Sequence, residues 1–158
     1  MKRDVFARVH ELWGSFLHFR EVKEAYGAFC DLGEIASLIQ LIPANQQAEW
    51  NGRLAAVELQ ESELAAICHD AKEMKERLWR IVSSSGQFLD EEIILVISSR
   101  DILSQIDKFM RQRFNADIGI NLDSIEQEIE DLKKDKKFLV AYRRCEATVR
   151  RNSCIYLT

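Results

Sequence analysis

From Asn45 to Ser83 the sequence runs without a proline and with a single glycine, Gly52. Its apolar residues Trp50, Leu54, Val57, Leu64, Ile67, Ala71, Met74, Leu78 and Ile81 fall at helical steps of three and four. That is the period of one helix face, not the alternation of a strand. The stretch is expected to form a long central helix that the other segments cover. At about 1.5 Å per residue it would reach roughly 57 Å, against roughly 36 to 45 Å for the remaining helices. A bend or a late start at Asn51-Gly52 is therefore expected. The serines after Ile81 and then Gly86 end it, with Gly86 as the left-handed cap.

One proline and six glycines in 158 residues leave few turns, so the elements between them must be long. Hydrophobic residues at 47% and charged residues at 30% suit an ordinary folded chain, large enough for a core without metal or disulfide staples. No repeat, low-complexity segment or linker divides residues 1–158, which are read as one domain.

The first helix is expected over residues 3–29. Val5, Val9, Leu12, Phe16, Phe19, Val22, Tyr26 and Phe29 form one stripe, and Phe6, Trp13 and Leu17 a second, about 100° away. So wide an apolar face is either buried between two neighbours or kept for a partner. Asp31 with Glu34 reads as a capping box opening a short helix that Pro43 ends. Leu32, Ile35, Leu38, Ile39 and Ile42 cover most of its circumference, so it should be buried.

Asp90 reads as the N-cap of the next helix, with Leu89 and Ile94 as its hydrophobic staple. The β-branched run from Ile93 to Ile97 is compatible with a strand, but the pattern continues through Leu103, Ile106, Met110 and Phe114, and a lone strand has nothing to pair with. Asn115 to Gly119 supplies a turn. The last helix is expected from about Asn121 to Arg151, beginning with the narrow coiled-coil-type seam Leu122, Ile125, Ile129 and Leu132. Lys136 then interrupts the seam before Leu139, Tyr142, Cys145 and Val149 resume it. The expected fold is all-α: an antiparallel helical bundle of four long helices plus one short helix, Asp31 to Ile42.

Chemistry-bearing patterns are sparse. The four cysteines, Cys30, Cys68, Cys145 and Cys154, share no metal or redox spacing. His69 with Glu73, and His18 with Glu21, are spaced so that each pair could face one metal, but His69, Glu73 and His18 lie off the apolar stripes and both pairs read as surface groups. No nucleophile-elbow, phosphate-loop or dinucleotide motif occurs. No catalytic residue, metal or cofactor is expected. The charge of −4 gives no general attraction to nucleic acid or anionic lipid. Neither a secretory signal nor a membrane-length apolar run is read, and a cytoplasmic protein is expected.

Two features bear on function. Trp79, like Trp13, sits beside its main stripe, whereas Trp50 lies on one and should be core. Phe6, Trp13, Leu17 and Trp79 are the candidate anchors for a protein partner or a second copy of the chain, tryptophan being enriched at binding hot spots. The last helix begins acidic and ends basic, and Lys133, Lys137, Arg144 and Arg151 fall within about 40° on the wheel. They could track phosphates on nucleic acid, or simply complement the helix dipole. The expected function is a non-enzymatic, regulatory protein-interaction module of inhibitor, immunity, adaptor or chaperone type. A nucleic-acid-associated protein is the alternative.

Overall fold

A computed structural model of the chain describes residues 4–84 and 86–152. The expected cap at Gly86 spans Ser85, which lies outside these residues, as does the tail 153–158 with Cys154. Among the described residues every regular element is helical, so the chain is all-α. The helices are shorter and more numerous than the sequence suggests: α1 (Val5–Glu21), α2 (Ala25–Leu38), a 3-10 turn (Ile39–Leu41), α3 (Ala44–Ala55), α4 (Glu61–Val82), α5 (Asp90–Phe114), α6 (Asp123–Leu132) and α7 (Lys136–Arg151).

Three of the expected helices are broken. The first divides at Lys23, whose φ of 62° is left-handed. The Glu24 N–H then reaches back to the Phe19 carbonyl at 2.8 Å and closes the helix end. The chain reverses, and α2 returns antiparallel along α1: the Ser15 hydroxyl donates to Asp31 at 2.6 Å, and Arg8 pairs with Glu34 at 3.5 Å. Asp31 and Glu34 are therefore not a cap. They are mid-helix groups facing α1, and α2 runs straight through the expected start of the short helix. Its apolar residues are buried as anticipated, Leu32, Ile35 and Leu38 completely.

The long stretch from Asn45 divides at Ala56–Gln60, not at Gly52, which lies inside α3. Gln60 is extended, and its N–H donates to Glu63 at 3.2 Å, which starts α4. Leu59 and Leu64, in the two staple positions around this start, both pack against the core. Glu63 also receives both arms of Arg20 from the end of α1, at 2.9 Å each. The last helix divides at Lys133–Asp135, where the Asp135 carboxylate accepts the Lys137 N–H at 2.9 Å. Lys136 thus begins a new helix, and its mismatch with the seam disappears. Residues 92–98 lie within α5, as expected of a helix, and Asn115 (φ 51°) ends it.

The enclosed element is α2, not the stretch from Asn45. No residue of α2 is exposed. The Phe29 ring meets Phe16 of α1 edge-on at 5.9 Å and Phe114 of α5 at 5.7 Å. At Gly33 a Cβ would lie 3.4 Å from the Phe109 ring, so the glycine permits close approach of α5. α1, α3, α4 and α5 pack around this helix, while α6 and α7 attach through α4 and α5. Arg100 of α5 ties the last two helices on: it donates to the buried Tyr142 hydroxyl at 2.9 Å and pairs with Glu126 at 3.4 Å.

The break at Lys23 has a signed consequence. A left-handed residue with a Cβ costs about 1–2 kcal/mol, so Lys23→Gly should raise stability by about 0.5–1 kcal/mol, partly offset by glycine's entropy. A continuous helix through residue 23 would instead lose about 1 kcal/mol on the same change. Urea unfolding reads the sign from the midpoint at unchanged slope.

Candidate docking surface

The starts of α5 and α7 come together. Glu92 accepts the Leu89 N–H at 3.0 Å, which fixes the extended residue before α5. Asp90 becomes the first helical residue rather than the cap. Its carboxylate takes Arg144 of α7 through bonds of 2.8 and 3.2 Å, and its carbonyl accepts the Cys145 thiol at 3.7 Å. Between the two helix starts and the end of α6 lies an open cleft of about 720 Å³. Phe88, Ile93, Leu132 and Phe138 line it, and the rings of Phe88 and Phe138 meet edge to face at 5.4 Å.

Two large exposed apolar residues belong to the segments that form this cleft, and one of them, Val140, lines it. Val140, in its wall, is 60% exposed, and Leu89, between the lining residues Phe88 and Asp90, is 63% exposed. The expected staple therefore does not bury Leu89. The sequence reading singled out neither residue as exposed. The available signal was Val140 itself: it lies opposite the Leu139, Tyr142, Cys145 stripe on an otherwise charged face.

The four expected anchors do not form one patch. Phe6 and Trp13 are half-buried in an aromatic ladder closing α1 against α3. Phe6 meets His10 at 4.5 Å, His10 meets Trp50 at 5.1 Å, and Trp13 meets Trp50 at 5.8 Å. Arg53 covers the Trp50 ring at 4.4 Å. Trp50 is core, 1% exposed. Leu17 and Trp79 are exposed. Leu17 is near the end of α1 that Arg20 pins to Glu63, whereas Trp79 lies about 24 Å farther along α4 by the helix rise. Trp79 borders a shallow groove with Ile125 of α6.

The expected basic stripe is also divided. Lys133 ends α6, pairs with Glu130 at 3.1 Å and lies over the Tyr142 ring at 4.4 Å. Arg144 is held by Asp90, and Arg151 donates to Thr148 at 3.3 Å. Lys137 lines the cleft and meets no carboxylate among the described residues.

The two groups with the largest displacement of proton affinity, Cys30 and Tyr26, lie elsewhere. Burial pushes the Cys30 thiol up to about 12, although its hydrogen bond with Tyr26 pulls it down, and burial raises the Tyr26 hydroxyl too. Burial also raises Asp31, while Ser15 and Arg8 lower it. All three belong to α2 and none lines the cleft. On α4, His69, Asp70 and Glu73 place ligand atoms within 4.8 Å of one another. Asp70 lies 3.3 Å from Nδ1 and Glu73 3.6 Å from Nε2. The carboxylates thus serve opposite edges of an exposed ring, as a surface trio does. Among the described residues no helix is long and apolar enough to cross a membrane.

With this geometry established, comparison with known proteins adds no relative: no family model, curated protein or solved structure matches the chain.

The thiolate is the reactive form of cysteine, and a thiol raised to about 12 carries almost none at pH 8. Iodoacetamide at that pH should leave Cys30 unmodified in the native chain and alkylate it after urea unfolding, read by peptide mass. Rapid native labelling would contradict the packing around α2.

Proposed function

We propose that this chain is a non-enzymatic protein-interaction module, of inhibitor, immunity, adaptor or chaperone type, acting through the cleft between the starts of α5 and α7. The supporting observation is Val140, 60% exposed in the wall of a cleft whose apolar lining is Phe88, Ile93, Leu132 and Phe138, with Leu89, 63% exposed, between two lining residues in the chain. Large apolar side chains set in a groove and rimmed by charge are the usual anatomy of a binding site. Asp90 with Arg144, and Lys137, supply such a rim. Trp79 and its groove with Ile125 are a second, smaller anchor for the same role. A cytoplasmic location belongs to this proposal, and the free thiols Cys30, Cys68 and Cys145 suit a reducing compartment.

Nucleic-acid binding draws less support. Two of the four bases in that reading, Lys133 and Arg144, are paired with Glu130 and Asp90. The cleft beside them also presents the carboxylates of Asp90 and Asp135, which repel phosphate.

The test is site-specific photocrosslinking. A benzophenone side chain placed at Leu89 or Val140 of the full chain should give a discrete protein adduct in cells, and one at Leu17 should not. Leu89→Asp with Val140→Asp should weaken capture at least about tenfold. Equal adducts from all three positions, or none from the cleft, would overturn the proposal.

A further inference from the structure

α7 carries six bases against one acid, Glu146, for +5, so a chain of −4 leaves −9 for everything outside it. It is a basic element in an acidic chain. Three of its bases are engaged within the molecule: Arg144 pairs with Asp90 at 2.8 Å, Arg150 with Glu146 at 3.7 Å, and Arg151 donates to Thr148 at 3.3 Å. The other three, Lys136, Lys137 and Arg143, meet no carboxylate among the described residues.

These three surround Val140. From Lys136, the residues Val140, Arg143 and Ala147 follow at steps of four, three and four, which places all four on one face of the helix. Each of them is exposed. Lys137, one step round, lines the cleft together with Val140 and Arg144. The outer face of α7 and the apolar cleft therefore meet along Val140. Lys136 and Arg143 stand about 10 Å apart along the axis by the helix rise, with Val140 between them.

We infer that this face and the adjoining cleft receive an acidic amphipathic helix of a partner protein. A large apolar side chain of the partner enters the cleft beside Val140, and carboxylates three or four residues to either side of it pair with Lys136, Lys137 and Arg143. This rests on the interaction-module reading of the cleft and names the chemistry of its partner. Charge complementarity selects the acidic residues, and the phenylalanine-lined cleft selects the apolar one. A helix suits the site because it satisfies its own backbone, whereas an extended segment laid on α7 would find no free backbone groups to pair with. Nucleic acid suits it less. A continuous polyanion has no apolar group for the cleft and must pass the carboxylates of Asp90 and Asp135, which line it.

The probe is a fluorescently labelled helical peptide of about 20 residues, long enough to hold helix in water, in which each leucine is flanked three and four residues away by glutamate. The full chain should bind it at low salt, and about 0.5 M salt should weaken binding at least about tenfold. A peptide with lysine for glutamate, and one with alanine for leucine, should each bind at least about tenfold more weakly. Lys136→Glu with Arg143→Glu should exchange the preference, losing the glutamate peptide and taking the lysine one, a gain that a merely misfolded variant cannot give. No binding of the glutamate peptide up to about 1 mM, or indifference to its charge, to its leucines or to the double reversal, overturns the inference. So does tighter binding of a random DNA duplex or of phosphatidylserine vesicles than of the peptide. Photocrosslinking from Val140 separates the two readings. If the captured protein segments carry no carboxylates beside the adduct, the acidic partner is refuted and the interaction-module reading stands. If no adduct forms from the cleft, that reading fails by itself.

Discussion

Phe29, Leu32, Ile35 and Leu38 leave water completely, and burial of each such side chain contributes about 1.5–3 kcal/mol. An exposed ion pair contributes at most about 1 kcal/mol. The apolar enclosure of α2 therefore outweighs the surface charges, and it dictates where the other helices go. α1 must turn back at Lys23 to cover one side of α2. α5 must approach closely enough to set Phe109 against Gly33, which a larger residue would oppose. α3 and α4 cover what remains, and α6 and α7 are held one layer out, on α4 and α5.

Polar contacts act where the apolar stripes leave the geometry open, at the ends of helices. Arg20 spans from α1 to Glu63 and to the Glu58 carbonyl, fixing the link before α4. Asp135 starts α7, and Arg100 holds Tyr142 and Glu126 in register with α5. Because α6 and α7 are outer helices, they retain free faces. That is why the cleft and the exposed Val140 occur there. The element most buried and the elements proposed to bind are separated by the same layering.

The stripes were legible in the sequence because burial selects side chains at the helical period. Trp50, Leu54, Ile67, Ala71 and Leu78 are all core, whether or not one helix joins them. The breaks were harder to see because the usual glycine or proline marks none of them. Lysine occupies the left-handed position at residue 23, and glutamine the start of α4. A signal existed in Leu59-Gln60 followed by Glu63-Leu64, a staple around a capping box with an uncommon first residue. The Lys136 mismatch was a second signal, of a new helix rather than a flawed seam. Trp79 was legible as an outlier from its stripe. Phe6 and Trp13 were not, because their ladder with Trp50 depends on α3 crossing α1, which periodicity within one segment does not encode.

Native-state hydrogen exchange tests the layering most directly, since amides in the most enclosed helix open only with the whole molecule. The amides from Phe29 to Leu38 should be the slowest in the chain and track global unfolding, while residues 56–60 exchange quickly. If α4 amides proved slowest across an unbroken protected stretch from 45 to 83, and α2 opened locally, the arrangement around α2 would be contradicted.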